Sequence, residues 1–348
     1  MAKILIYSDL HLCENSSIVN QVGEKYSVRL EHCVASLNWV NQLAKSLAVD
    51  YIVNCGDTFD KPNLTDMEIT AIKDIVPSDV KTFVLVGNHD SGDSSLKYSS
   101  AKILSSDFCT IYSSPAKIRL PDAELCFLPY ITEADRKSLT DYFGKKDGLP
   151  RIIFSHNDIA SLQMGAIISK AGFRLDDIKQ NCDLFINGHL HNEQWFCENG
   201  LLVGNLCGKD FSENAEKYKH GAWLLDTSSL KVEFYENPYS FNFYKLIIDS
   251  KKDFKKCLNL KKNAVLYISI KDHLINDFKA FLDSQPTLDL TAYRLIVSHD
   301  IDPSRVSQEM ASDPADLRLD YLDKFKMCCM DKLEHTKYLT EELANVCK

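Results

Sequence analysis

A chain of 348 residues is long enough for two folded domains, each able to bury a core, and excludes a miniature fold held by staples alone. With 45% hydrophobic and 26% charged residues, 13 Gly and 10 Pro, it is neither disordered nor fibrous. Forty basic against 49 acidic side chains leave a net charge of −9, which argues against nucleic-acid binding by bulk electrostatics and requires any such contact to be local or assisted.

The amino-terminal MAKILIYSDLHL carries a short apolar run ended by Ser8 and Asp9, far short of a signal-peptide core or a membrane span. A cytoplasmic chain without membrane contact is expected. The 12 cysteines are scattered with no C-x-x-C pair, so reduced thiols that fill the core are expected. Five apolar runs, KILIYSD, DYIVNCGD, KTFVLVGNHD, RIIFSH and CDLFINGH, predict buried strands that end abruptly in polar loops. Between the first two, Leu30, Cys33, Val34, Leu37, Val40 and Leu47 follow the spacing of one helix face. TDMEITAIKDIV opens with a Thr65 cap signal and predicts a second helix. Strand alternating with helix is the pattern of an α/β sheet.

From residue 116, AELCFLPYI, EQWFCENGLLVGN and HGAWLLDTSSLKVEFYE predict antiparallel strands of a second sheet packed beside the first. Asn237-Pro238 closes this domain, placed at 1–237. The pattern that follows reads strand, helix, strand, helix, strand and predicts a small capping domain over 238–310. In 311–348 a helical segment is expected, with Leu317, Tyr321, Leu322, Phe325 and Cys329 on one face, which either packs on the body or docks a partner.

Asp9 and His11 lie two apart at the end of the first strand, where the period of two aims both side chains the same way. A D-x-H pair is common by chance, and a turn Asp beside a surface His accounts for it alone. Asp57 follows DYIVNCG, Gly87-Asn88-His89-Asp90 follows KTFVLV, His156 ends RIIFSH, and Gly188-His189-Leu190-His191 closes DLFIN. Five clusters at the carboxyl ends of strands, where α/β proteins form their clefts, outweigh chance. Two neighbouring divalent ions need a shared carboxylate with further oxygen and nitrogen ligands on each side, and Asp57 can be the shared one. Imidazole with carboxylate and amide oxygen suits manganese, iron or zinc rather than calcium or a structural zinc. Water on such a pair is activated for in-line attack on phosphorus, which is the chemistry of a metal-dependent phosphoesterase.

DLH, GDTFD, GNHD, the lone strand-end His and GHLH resemble the five motifs of the calcineurin-like metallophosphoesterases over about residues 3–230. The resemblance implies an α/β fold of two sheets in a sandwich flanked by helices. It implies one metal held by Asp9, His11, Asp57 and His191, and a second held by Asp57, Asn88, His156 and His189. Manganese comes first, with magnesium, iron or zinc as alternatives. It also implies that His89 protonates the leaving oxygen or steadies the pentacovalent phosphorus, with Asp90 orienting its ring.

Within this superfamily, LCFLPYITEAD, LVGNLCGKDFSE and the small appended domain resemble the SbcD-type nuclease subunits, in their phage-type form with a short cap. That resemblance implies an exonuclease on duplex DNA and an endonuclease on single strands. It implies a homodimer working with a coiled-coil, SMC-like ATPase of the SbcC type in DNA repair, recombination and replication. SHND stands where many members have a Gly-His pair. A phosphomonoesterase or small-molecule phosphodiesterase is the alternative, marked by a lid over a small pocket where a nuclease needs an open cleft. A scaffold without activity is disfavoured, because buried carboxylates and imidazoles lacking metal are costly to keep together. His299, His32, His220, His273 and His335 are expected to be loop residues, surface groups or neighbours of the ligands. The lysines from Lys251 to Lys262 are expected to form a solvated helix face.

Overall fold

The five predicted strands that end in Asp, Asn or His all form, and they divide between two sheets. The computed structural model describes residues 1–76, 78–164, 167–285 and 288–298. In chain order the first strands are β1 (Lys3–Tyr7), β2 (Tyr51–Asn54), β3 (Lys81–Leu85), β4 (Cys109–Tyr112), β5 (Ala116–Arg119), β6 (Glu124–Leu128) and β7 (Arg151–Ser155). A two-residue hairpin supplies β8 (Gln163–Met164) and β9 (Ile167–Ile168), followed by β10 (Leu184–Asn187), β11 (Gln194–Cys197) and β12 (Gly200–Leu202). The remainder are β13 (Gly221–Asp226), β14 (Val232–Glu236), β15 (Asn242–Ile248), β16 (Ala264–Lys271) and β17 (Leu290–Ser298). The helices are α1 (Val28–Ser46), α2 (Asp66–Ile72), α3 (Leu139–Phe143), α4 (Leu175–Asn181) and α5 (Ile275–Asp283).

The first sheet runs β14-β13-β1-β2-β3-β4 and the second β11-β12-β10-β7-β6-β5. Alternation along the strands builds the sandwich, since residues two apart face the same side. Ile4, Ile6, Val53, Phe83 and Leu85 of the first sheet meet Leu125, Phe127, Ile152, Phe154 and Ile186 of the second in one buried core. The opposite face of the first sheet, with Leu5, Tyr7 and Ile52, is covered by Leu30, Cys33, Leu37 and Val40 of α1. The outer face of the second sheet, with Cys126, Ile153 and Phe185, is covered by Leu139 of α3 and Ile178 of α4. The second helix, α2, starts where its Thr65 cap signal predicts, and α1 starts at a Ser27 cap that the spacing of its apolar face did not single out. Ser27 accepts from Leu30 N, and Thr65 forms a reciprocal capping box with Glu68.

Two expectations for the second half need correction. HGAWLLDTSSLKVEFYE does not enter the second sheet; its β13 pairs antiparallel with β1, from Lys3↔Asp226 to Ile6↔Trp223, and β14 extends the first sheet. An alternating strand pattern states which face is buried but not which edge it joins. Nor is the second sheet wholly antiparallel, because β6, β7, β10 and β12 run parallel. Two of the connections between them hold α3 and α4, helices of five and seven residues, too short to impose a visible helical period.

Parallel pairing sets β1, β2 and β3 with their carboxyl ends level, Tyr7 opposite Asn54 and Asn54 opposite Val84. In the second sheet Leu128, Ser155 and Asn187 are level in the same way. The loops that leave these ends therefore open on a common rim. A third sheet, β15-β16-β17, packs its own core of Leu246, Ile248, Leu266, Ile268 and Ile270 against Phe254 and Phe278. The basic stretch before β16 is partly neutralised, with Lys251 on Asp277 at 2.6 Å and Lys261 on Glu236 at 2.6 Å. Among the described residues no helix is long and apolar enough to cross a membrane. The segment after Pro314 with its Leu317 to Cys329 face, His299 and His335 lie outside the described residues.

Arg29 ties this frame to the rim. Although charged, it sits in the first turn of α1 only 2% exposed, beneath the loop that follows β1. Its Nη2 donates to the carbonyls of Leu10 at 3.0 Å and His11 at 3.2 Å, its Nη1 donates to Gly208 O, and the guanidinium lies over the Phe241 ring. A lysine has no planar fork to serve three carbonyls at once. Arg29→Ala is therefore expected to cost roughly 3 kcal/mol by stranding buried acceptors, and Arg29→Lys to recover only part of it. A urea midpoint that falls at constant slope would confirm this; an unshifted midpoint would refute it.

Candidate metal centre

The rim loops take unusual backbone to bring their ligands inward. Asp9 (φ 52°), His11 (φ 48°), Asp57 (φ 50°) and His189 (φ 71°) all occupy the left-handed region. Non-glycine residues there cost about 1–3 kcal/mol each and cluster at functional sites. This corrects the expectation that strand alternation aims Asp9 and His11 together: β1 ends at Tyr7, and two left-handed turns do the aiming. Backbone bonds hold the turns in place, from Asp9 N to Gly56 O and from His11 N to Asp57 O, both 3.0 Å.

Glycine is required where the loops approach most closely. A Cβ on Gly87 would collide with the Asp57 carboxylate, and one on Gly188 with Ser8 Oγ and, at 2.7 Å, with Cys55 O. Those close approaches let Asp57 Oδ1 accept from His89 N at 2.9 Å and both Asp9 oxygens accept from His189 N at 3.0 and 3.1 Å. Each carboxylate is thereby oriented before it meets a ligand.

All seven residues expected to hold metal converge on this rim. Asp9, His11 and His191 place donor atoms within 4.8 Å of one another, as do Asp57, His156 and His189. Asp57 lies between the groups, its Oδ2 3.7 Å from His11 Nε2 and 3.2 Å from His156 Nε2. Asn88 Oδ1 stands 3.2 Å from His156 Nε2 and 3.0 Å from His189 Nδ1. Across the other group, His11 Nε2 and His191 Nε2 face each other at 3.1 Å.

The far nitrogen of each ring shows which atom is free to bind. His191 Nδ1 donates to Glu213 Oε1 at 2.7 Å, His156 Nδ1 to Cys55 O at 2.7 Å, and His189 Nε2 to Asp158 Oδ1 at 3.1 Å. His11 Nδ1 lies 3.1 Å from Asp60 Oδ1, which favours the proton on that nitrogen, while Lys209 Nζ approaches the same oxygen at 2.9 Å and the same ring nitrogen at 3.1 Å. With the outer nitrogens so occupied, the inner ones of His11 and His191 present lone pairs to each other, and that of His189 to the Asn88 oxygen. Facing acceptors repel unless a cation stands among them, so the donor set fits two divalent ions.

The electrostatics carry the same sign. Burial opposes a charged Asp57, yet His156 and His11 hold its carboxyl well below the usual carboxylate range. Burial likewise opposes a charged His156, but Asp57 pushes the imidazole up to about 9. His11, with less compensation, is driven by burial down to about 3. The pocket thus retains its anionic carboxylate and draws a positive charge to it, which a metal ion supplies more strongly than a proton.

His89 and Asp90 divide differently from expectation. His89 stands at the edge of the group, its ring 4.7 Å from that of His11 and its Nδ1 3.1 Å from the Asp60 carbonyl oxygen. Asp90 does not orient that ring: it is fully buried and accepts from Phe59 N and Gly87 N, both at 2.9 Å. Burial, with Asp57 adding to it, raises Asp90 to about 7. Its service is to pin the loop that carries Asn88 and His89. Three carboxylates behind the ligands, Asp60, Asp158 and Glu213, are assigned no role by the sequence reading, although they lie inside the quoted GDTFD, SHND and KDFSE segments. Their offset from the motif histidines is set by loop shape, which spacing does not encode. His220, expected as a ligand neighbour or surface group, is buried 3.7 Å from Glu213.

The family profile described as calcineurin-like phosphoesterase matches residues 2–198. A protein of Invertebrate iridescent virus 3 that bears the name of a phosphoesterase, 078R, is 26% identical over 188 residues, which cover 48% of this chain and 50% of that protein. The match therefore spans half the length of the viral relative. Among solved structures, a purple acid phosphatase of yellow lupin aligns at 12% identity and a TM-score of 0.43, covering 68% of this chain and 51% of that one. A dimetal phosphatase of Danio rerio aligns at 11% identity and a TM-score of 0.40, covering 68% and 96%.

Two substitutions probe the centre. Asp57→Asn is expected to lower metal occupancy at both positions and to abolish phosphoester hydrolysis, since a neutral amide bridges two cations poorly; elemental analysis finding two ions on an active variant would overturn the bridging role. Glu213→Gln should weaken one of the two ions roughly 10–100-fold, the usual cost of removing a carboxylate behind a ligand histidine. Metal titration separates the cases, and an unchanged pair of affinities would rule Glu213 out.

Proposed function

Because this chain belongs to the calcineurin-like phosphoesterases, we propose that it is an SbcD-type nuclease, loaded with two manganese ions and cleaving DNA as a homodimer partnered by a coiled-coil ATPase. The observation that carries the reading is the uneven burial of the centre. The side chains of Asp9, His11, Asp57 and His156 are at most 2% exposed, whereas those of His89, His189 and His191 are 40%, 19% and 20% exposed. A centre sealed on one side and open along the other admits a phosphodiester whose backbone continues past the scissile group in both directions. The segments LCFLPYITEAD and LVGNLCGKDFSE and the third sheet support the same assignment through their resemblance to SbcD-type subunits. The net charge of −9 supports an assembly in which another chain supplies much of the DNA affinity.

The bound ions supply charge neutralisation at the phosphoryl oxygens and a water that deprotonates near neutral pH. The chain's own residues do the rest. The Asp60 carbonyl holds His89 Nδ1 at 3.1 Å, which leaves Nε2 for the leaving oxygen. Asn88 occupies the ligand position beside it, so His89 is free to serve the substrate.

The test is cleavage of labelled single- and double-stranded DNA in manganese, magnesium and EDTA, beside a phosphomonoester. Metal-dependent DNA cleavage is expected, and His89→Ala should slow it roughly a hundredfold with both ions retained. Monoester turnover without DNA cleavage would replace the reading with a small-molecule phosphatase, and loss of metal from the His89 variant would make that residue a ligand.

A further inference from the structure

The exposed wall of the metal centre continues into a cavity of about 660 Å³ whose lining includes His189 and His191 themselves. A phosphoryl group on the two ions would leave most of that volume for the remainder of its substrate. The cavity also draws on three separate parts of the fold: the loop after β10, the loop from Asp210 to Tyr218, and β15 of the third sheet.

Its chemistry is specific in three respects. Lys217 and Lys245 line it, both side chains are exposed, and among the described residues neither ammonium has a carboxylate partner. In a chain of net charge −9, these two ammonium groups share one cavity with His189 and His191 and so put positive charge beside the centre. The carboxylate in the same lining, Asp210, is engaged locally by Ser212 N at 2.7 Å. Second, Asn192 lines the cavity, and its Oδ1 is a buried acceptor with no hydrogen-bond partner among the described residues. Third, Phe211 offers a fixed aromatic face, held edge-on by Phe243 and Tyr267 with centroids at 5.2 and 5.5 Å. Two cations, one acceptor in need of a donor and one immobile ring match the parts of a nucleotide: phosphate, N–H or hydroxyl donors, and a planar base.

We propose that this cavity is a nucleotide subsite, in which Lys217 and Lys245 pair with the phosphate next to the one being cleaved while Asn192 and Phe211 receive its nucleoside. The inference rests on the nuclease reading above and deepens it. It also locates the local contact that an acidic chain needs in order to hold a polyanion. The lysines come from a sandwich loop and from the third sheet, so the third sheet becomes part of the substrate site rather than an appendage.

The experiment is calorimetric and uses the full chain loaded with manganese. The probes are thymidine bisphosphate, phosphorylated on both sugar hydroxyls, and thymidine monophosphate, which can occupy the metals but has no second phosphate. The wild type is expected to bind the bisphosphate at least about tenfold more tightly, the worth of one charge-assisted contact. The Lys217→Ala/Lys245→Ala variant should lose most of that preference, and Asn192→Ala should weaken both probes alike. Equal binding of the two probes by the wild type, or a preference that survives in the double variant, would overturn the subsite. DNA cleavage by the wild type is scored separately: a lysine-dependent preference without DNA cleavage keeps the subsite for a small nucleotide and discards the nuclease.

Discussion

Two imidazole nitrogens, on His11 and His191, face each other at 3.1 Å with their outer nitrogens already committed to carboxylates. Lone pairs so placed repel, and the same conflict recurs where Asn88 Oδ1 meets His189 Nδ1 at 3.0 Å. Nothing in apolar packing would gather these groups; only the return from binding cations offsets the cost of desolvating them. The rest of the architecture can be traced to that demand. Four left-handed residues, two glycines in close approach and a buried arginine clamped on three carbonyls all hold polar loops against forces that would open them. The sandwich beneath is rigid enough to carry that strain because both faces of each sheet are packed.

Behind each ligand ring stands a partner that sets its tautomer, and these partners differ. His11 and His191 are backed by the carboxylates of Asp60 and Glu213, His189 by Asp158, and His156 by the neutral Cys55 carbonyl. A carboxylate makes the ring in front of it a stronger donor, so the two ion positions are inequivalent in basicity as well as in geometry. The position built from His11 and His191 has charge behind both of its rings. The one built from His156 and His189 has charge behind only one. Inequivalence of this kind is useful where one ion orients a phosphate and the other activates water.

Access complements that asymmetry. Asp9, His11, Asp57 and His156 are sealed, whereas His189 and His191 on the last loop of the second sheet face solvent together with His89, so the centre is open along that flank. That flank is where the uncompensated lysines lie.

Much of this was legible in the residues. Abrupt polar endings on five apolar runs located the rim, because α/β proteins form their clefts at the carboxyl ends of strands, and the resemblance of the motifs to those of the calcineurin-like metallophosphoesterases implied Asp9, His11, Asp57, Asn88, His156, His189 and His191 as ligands. The cap at Thr65 was local chemistry and formed where local chemistry placed it. What the chain order could not state is which edge a strand joins, and β13 pairs with β1 across more than two hundred residues on the strength of a face pattern that fits either sheet equally well. It also could not state which carboxylate stands behind which ring. Glu213 reaches His191 and Asp158 reaches His189 through loop shape, and Asp90, adjacent to His89 in sequence, turns away to pin backbone instead. Composition and periodicity determine what must be buried and what must be wet, since those are properties of single side chains. Partnership between polar groups is decided only when the backbone has closed around them, because a hydrogen bond depends on direction and distance that no spacing records.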